Sequence, residues 1–155
     1  MEQNKRQTIT PTLTVNNADA AIAFYEQVFR AKLDGHIIRG PDGKTVMHCE
    51  LLFGDMKIFV NDEIPEMGVR SPTHYGGTSV SFHLQVSDVD KTCSAAVAAG
   101  ATVRMPPEDA FWGERYAYIF DPFGHGWGLA APIENLTQDQ IKERSEKVWR
   151  QHANQ

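Results

Sequence analysis

The chain has 155 residues, of which 41% are hydrophobic and 23% charged, which suits one well-packed domain. Its formal net charge of −5 argues against nucleic acid or an anionic membrane as a partner. No apolar run is long enough to cross a bilayer, and the start MEQNKRQTITPTLTV lacks the apolar segment of a signal peptide. Cys49 and Cys93 fit neither a disulfide framework nor a zinc site, so we expect a cytoplasmic protein with free thiols.

The first half of the chain reads as a strand, a helix and three further strands. The alternating run TLTV is followed by Asn16 and Asn17, which are suited to cap a helix whose apolar stripe includes Ile22 and Tyr25. The runs KLDGHIIRG, KTVMHCELLFG and MKIFVND are typical of strands, and GPDGK is a hairpin turn between the first two. We predict a first module over residues of about 8–61.

Residues 61–77, NDEIPEMGVRSPTHYGG, form a predicted connecting loop rich in proline and glycine. Loops of this length are often functional or mobile. One interpretation is a lid in which Met67 and Tyr75 cover a cavity, and the other is a plain linker.

The second half repeats the pattern of the first. In a register of 71 positions the matching pairs are Leu13 with Leu84, Val15 with Val86, and Asp19 with Asp90. Ser87 or Asp88 is placed to cap the second helix, and the strand-like runs ATVRM, ERYAYIFD and HGWGLAA follow. We predict a second module over residues of about 78–131, and therefore an α+β fold of two βαβββ modules whose curved mixed sheet surrounds a cavity.

Alternation in the first strand of each module separates a polar set of side chains from an apolar one. The polar set comprises Thr8, Thr10, Thr12 and Thr14 in TITPTLTV, and Ser79, Ser81, His83 and Gln85 in SVSFHLQV. A period of two sends the polar and apolar sets to opposite faces of a sheet. We predict that the polar set lines the cavity and binds a ligand, and an ordinary solvated face is the alternative.

A second predicted loop, MPPEDAFWGERY, carries two adjacent large aromatic residues. Phe111 and Trp112 are suited to stack on a planar ligand, and Arg115 to pair with an anionic one. The alternatives are packing of Trp112 at an interface, and a surface ion pair of Arg115 with Glu108, Asp109 or Glu114.

The last segment, LTQDQIKERSEKVWRQH, is a predicted C-terminal helix over residues of about 137–152. Thr137 and Gln140 have the spacing of a capping box. Ile141, Val148 and Trp149 form a narrow apolar stripe that suits its own sheet or a second subunit.

Taken together, these motifs carry a family resemblance. The duplicated unit closed by DPFGHGWGL resembles the vicinal oxygen chelate superfamily of glyoxalases, bleomycin-resistance proteins and extradiol dioxygenases. The runs TPTLTVNNADAAIAFYEQVF, VMHCELLFGD, GGTSVSFHLQVSDVD and AVAAGATVRMPPEDAFWGERYAYIFDPFGHGW are similar to the PhnB-like group within it, over residues of roughly 8–131. The resemblance implies paired βαβββ modules, usually in a homodimer, and often a divalent metal held by four strands.

The metal positions that the resemblance implies fall near Thr10, Phe59, Ser81 and Gly128. Such metals are bound by histidine or carboxylate side chains, and phenylalanine and glycine offer no donor atom. We therefore expect no metal at the family positions and predict no cofactor. A non-standard site built from His48, Glu50 and His83 is the alternative.

The first functional hypothesis is binding of a small organic molecule, with His48 and Glu50 as further ligand-binding groups because they share a strand face. The second is a lyase- or isomerase-type enzyme in which His48, Glu50 or His83 is the general base. The third is an interaction module that uses the aromatic loop and the C-terminal helix.

Overall fold

The structure is a computed structural model that describes residues 7–153, with side chains through Gln151. The chain divides into two compact units, unit 1 over Met1–Gly77 and unit 2 over Thr78–Gln155. Each unit contains a four-stranded mixed sheet and at least one helix. The predicted α+β fold with a C-terminal helix is confirmed, with two four-stranded mixed sheets in place of the single curved sheet expected, while the cavity stays a prediction.

Unit 1 begins with a strand and a helix and continues with three strands. Its elements are β1 (Thr12–Val15), α1 (Ala18–Phe29), β2 (Lys32–Arg39), β3 (Val46–Phe53), β4 (Met56–Asp62), a 3-10 turn (Pro65–Met67) and α2 (Pro72–Tyr75). The predicted connecting loop therefore contains two short helical turns. Helix α1 begins as predicted, because the Asn17 side chain accepts a hydrogen bond from the Ala20 amide at 3.0 Å.

The sheet of unit 1 has the order β1-β4-β3-β2, in which β1 and β4 are parallel and the other pairs antiparallel. The face under α1 is apolar and buried, and it includes Leu13, Val15, Cys49, Leu51 and Val60. The other face carries polar groups, as the alternation predicts. Ile9 does not join the core, because pairing starts only at the Pro11 carbonyl and Ile9 is 90% exposed.

Unit 2 repeats this topology and adds a terminal helix. Its elements are β5 (Ser81–Gln85), α3 (Val89–Ala98), β6 (Thr102–Asp109), β7 (Glu114–Phe120), β8 (Gly126–Pro132) and α4 (Gln138–Ala153). The strand order is β5-β8-β7-β6, again with one parallel pair, β5 with β8. Asp88 caps α3, and Cys93, Trp127 and Leu129 lie in the core.

The predicted loop before β7 is mostly strand. Strand β6 continues to Asp109, so only residues 110–113 form the turn. Pro106 and Pro107 are compatible with β6 because it is an edge strand, where a missing amide donor breaks no sheet. The pairing is irregular there, with register shifts between Val103 and Met105 and between Met105 and Glu108.

Helix α4 has the capping box that the sequence predicts. The Thr137 amide donates to Gln140 Oε1 at 2.8 Å, and the Gln140 amide donates to Thr137 Oγ1 at 3.3 Å. Trp149 is 71% exposed. Over the described residues, the helices are all too short or too polar to span a membrane.

Candidate functional site

In each unit an arginine on a strand forms an ion pair with an aspartate in the first turn of the helix, α1 or α3. Arg39 of β2 donates two hydrogen bonds to Asp19 at 2.7 and 3.0 Å, and Arg115 of β7 donates two to Asp90 at 2.8 and 2.9 Å. Arg115 also donates to Asp109 at 3.0 Å. Each arginine lowers the pKa of its helix aspartate. Arg115 therefore lies on the α3 side of its sheet, whereas its neighbours in β7 point to the open face.

The open face of unit 1 carries a charged network. His48 Nε2 lies 3.4 Å from Glu50 Oε1, and Lys57 binds both Glu50 and, at 2.8 Å, Asp34. The hydrogen bond from Lys57 makes the larger contribution to lowering the pKa of Glu50, and the contact with His48 lowers it further. Asp34 and Glu50 raise the pKa of Lys57 to about 12. The structure brings His48 and Glu50 together as predicted, but the charge of Glu50 is already paired.

The rest of this face of unit 1 is formed by β1 and β4. Thr12 is opposite Phe59 in the parallel register, and the ring of His48 meets that of Phe59 edge-on at 4.7 Å. The side-chain amide of Asn61 donates a hydrogen bond from Nδ2 to Thr14 Oγ1 at 3.2 Å. Thr12 is exposed, and Thr10 lies ahead of β1, outside the strand.

Two glycines on β8 leave room for two tyrosine rings on the open face of unit 2. A Cβ atom at Gly128 would lie 2.6 Å from the Tyr116 hydroxyl and 2.9 Å from its ring. A Cβ atom at Gly126 would overlap the Tyr118 hydroxyl. Glycine at these positions leaves the space into which each tyrosine crosses from the neighbouring strand, and a larger residue would force the tyrosine to shift.

The carboxylate of Glu114 organises the polar part of this face. It accepts hydrogen bonds from Gln85 Nε2 at 2.6 Å and from Trp112 Nε1 at 2.7 Å. His83 Nε2 lies 3.4 Å from the same carboxylate. Burial opposes ionisation, but the donors Gln85 and Trp112 and the nearby His83 outweigh it and lower the pKa of Glu114.

Aromatic rings surround this carboxylate. The rings of His83 and Tyr116 stack at 5.9 Å with an angle of 21° between their planes. Trp112 meets Tyr116 edge-on at 5.3 Å and Phe111 edge-on at 5.1 Å. We call the set Gln85, His83, Trp112, Glu114 and Tyr116 the aromatic face of unit 2. It includes His83 and Trp112 from the predicted site, borders Phe111, and excludes Arg115.

The alternation places Gln85 on the same face as His83, but sequence reasoning missed Glu114 and Tyr116 as site residues. The available signal was the pattern Glu-x-Tyr-x-Tyr in β7 beside Gly-x-Gly in β8, because alternate residues of neighbouring strands share a face. Ser81 lies on the same strand as His83 and is exposed, opposite Gly126.

The residues at the implied metal positions do not fit a divalent ion. Phe59 has no donor atom, and a side chain at Gly128 would collide with Tyr116. Among the described residues, no group of three or more histidine, cysteine, aspartate or glutamate side chains is arranged to hold a metal.

The repeated topology, the glycine-rich last strand and the motif register define the class of this protein. The chain belongs to the Glyoxalase/Bleomycin resistance protein/Dioxygenase superfamily, whose profile matches residues 8–129. The predicted superfamily is thereby confirmed.

Individual relatives are similar over most of the chain. An uncharacterized protein of Mycobacterium bovis is 41% identical over 145 residues, which cover 92% of this chain and 94% of that protein. The X-ray structure of a gene product from Arabidopsis thaliana has a TM-score of 0.64 at 26% identity, over 81% of this chain and 98% of that one. A third relative is a mutant of the fosfomycin resistance protein FosX from Listeria monocytogenes, whose structure was determined with Mn(II) and 1S,2S-dihydroxypropylphosphonic acid. It has a TM-score of 0.62 over 90% of this chain and 97% of that one. Its sequence identity of 19% shows likeness of fold alone.

Proposed function

We propose that this protein binds a small organic molecule with a planar ring, and that the aromatic face of unit 2 is the contact surface. The observation that carries the proposal is the arrangement of Trp112, Tyr116 and His83 around one partly buried carboxylate. Ligand sites commonly combine aromatic surface with a few polar groups that fix orientation. Here the hydrogen bond from Trp112 to Glu114 holds the indole in place, so stacking requires little ordering on binding.

Binding of planar probes tests this function. We choose 1-methylquinolinium, 1-methylnaphthalene and 1-naphthoate, which share ring size and differ in charge. At least one probe should bind with a Kd of about 0.1 mM in calorimetry. Trp112→Ala should weaken it about tenfold, because ring stacking contributes on the order of 1 kcal/mol.

Trp149→Ala is the matched control, since it removes an indole that is 71% exposed on α4. It should leave the affinity unchanged. The proposal fails if none of the three probes binds, or if the Trp112 and Trp149 variants lose affinity equally.

We also propose that the protein works without the divalent metal of its superfamily. The support is chemical: the implied set contains a phenylalanine, and the Tyr116 ring fills the space beside Gly128. Three protein donors are the usual minimum for a catalytic divalent ion.

Metal titration during thermal unfolding tests this second proposal. Zn²⁺, Ni²⁺, Fe²⁺ or Mn²⁺ at about 100 times a site's Kd would add roughly 2.7 kcal/mol of stability, which is several degrees in melting temperature. We expect no such shift. His48→Ala and the control His36→Ala, on exposed β2, should behave alike. A large shift abolished only by His48→Ala would establish a non-standard metal site.

The second candidate function is a lyase- or isomerase-type reaction with His48, Glu50 or His83 as general base. Its favourable observation is the 3.4 Å approach of His48 to Glu50. It ranks second because Lys57 lowers the pKa of Glu50, and a base with a lowered pKa accepts a proton less readily. Membership of the PhnB-like group, a homodimeric state and a cytoplasmic location complete the proposal; the sequence motifs support the first two, and the free cysteines Cys49 and Cys93 support the third.

A further inference from the structure

We propose that the aromatic face of unit 2 selects a planar organic cation, meaning a flat ring system that carries a positive charge. This inference rests on the proposed binding function and adds the chemical class of the ligand.

Glu114 carries a negative charge and is largely shielded from water. Its side chain is only 18% exposed, and its hydrogen-bond donors Gln85 and Trp112 are neutral. Its pKa is lowered from the ordinary glutamate value despite burial, so the group is an anion at neutral pH. Among the described residues, its ion-pair contacts include no arginine and no lysine, and His83 at 3.4 Å is its nearest basic group.

Several other acidic groups have a cationic partner, while Glu108, opposite Tyr116 on β6, is exposed to solvent. Glu50 on unit 1 binds Lys57, which also binds Asp34. Asp90 and Asp109 share Arg115 on the helix side of unit 2. Glu114 is thus a carboxylate held beside ring surface without an arginine or lysine partner, and a cationic ligand would supply the missing charge.

The rings of the aromatic face also favour a positively charged ligand. Tyr116 and His83 are nearly parallel, and Trp112 stands at 72° to Tyr116. The face of an indole or phenol ring is electron-rich and attracts cations within about 6 Å of its centroid. Burial raises the pKa of Tyr116, so its ring remains a neutral phenol. Ring faces and carboxylate therefore favour the same sign of charge.

The same face disfavours an anionic ligand. The sequence predicts that Arg115 pairs with an anionic ligand, but the structure places its guanidinium on the α3 side with two carboxylates. An anion on the aromatic face would meet Glu114 instead. Like charges at such a distance repel, and the repulsion grows as water is excluded.

The three probes of equal ring size test the inference by their order of affinity. In wild-type protein, 1-methylquinolinium should bind about tenfold more tightly than 1-methylnaphthalene, and 1-naphthoate should bind most weakly. Glu114→Gln should reduce the cation's advantage to about threefold while the neutral probe keeps its affinity. Glu26→Gln, at an exposed position of α1, removes the same charge elsewhere and should leave the order intact.

The outcomes separate this inference from the function on which it rests. If no probe binds, the proposed function fails. If the neutral probe or 1-naphthoate binds as tightly as the cation in wild-type protein, binding stands and cation selection is wrong. The wild-type comparison decides the matter even if Glu114→Gln does not fold. A cation preference that persists unchanged in a folded Glu114→Gln protein would also overturn the role of Glu114.

Discussion

Gly128→Ala should destabilise unit 2 by about 1–2 kcal/mol, against the usual trend for glycine in a strand. Replacing a strand glycine by alanine ordinarily gains about 0.5–1 kcal/mol, because the unfolded chain loses freedom. At this position the new Cβ atom would lie 2.6 Å from the Tyr116 hydroxyl and 2.9 Å from a ring carbon. Overpacking of this kind costs about 1–3 kcal/mol, so the clash outweighs the entropic gain.

A double-mutant cycle measured by urea unfolding checks this explanation. In a Tyr116→Ala background the same Gly128→Ala change should be neutral or stabilising by about 0.5 kcal/mol. Tyr116→Phe should relieve the clash only partly, because the ring carbons remain. Additive effects of Gly128→Ala and Tyr116→Ala would show that the two residues do not compete for the same space.

Asp121→Ala should cost unit 2 at least about 2 kcal/mol of unfolding free energy. Asp121 is 4% exposed and lies in the turn before β8. One carboxylate oxygen accepts from the amides of Phe123 and His125, both at 2.9 Å, and the other accepts from Trp127 Nε1 at 2.8 Å. Alanine would leave these donors, including the buried indole, without the acceptor, and each unsatisfied buried donor costs about 1–3 kcal/mol.

Two further substitutions sharpen this prediction. Asp121→Asn keeps one oxygen but turns an amide donor toward the other donors, so its loss should be intermediate. Asp55→Ala, in the exposed turn between β3 and β4, should change stability by about 0.5 kcal/mol or less. Comparable losses for Asp121→Ala and Asp55→Ala in guanidinium unfolding would contradict the role assigned to the buried carboxylate.

Most of the fold follows from patterns that sequence carries directly. The caps at Asn17, Asp88 and Thr137 lie where short polar residues precede apolar helical stripes. The strand order repeats because the duplicated pattern repeats. The extent of β6 was missed because two prolines usually end a strand, and only the edge position of β6 makes them tolerable.

The site was harder to predict for a physical reason. His83 and Trp112 stand out as residue types, but their meeting point is Glu114 in β7, whose role depends on the pairing of β7 with β8 and on the partners that the fold brings to that face. Proximity to Trp112 in sequence suggests a ligand for Arg115, but the alternative reading, an ion pair that includes Asp109, is the one that the structure shows. Alternation along β7 instead directs the Arg115 side chain to the α3 side of the sheet, where it pairs with Asp90. Asp90 is the counterpart in unit 2 of Asp19, which pairs with Arg39 in unit 1.

The proline pair in β6 has a consequence for how copies of this chain meet. Pro106 and Pro107 remove two successive amide donors from β6, and because successive amides of a strand point to opposite sides, one of the two is lost from the free margin of the unit 2 sheet. An extended segment from another molecule cannot continue the hydrogen-bond ladder across that gap. Uncontrolled fibre-like stacking is thereby discouraged at this margin, whereas β2, the outer strand of unit 1, contains no proline to block such recruitment.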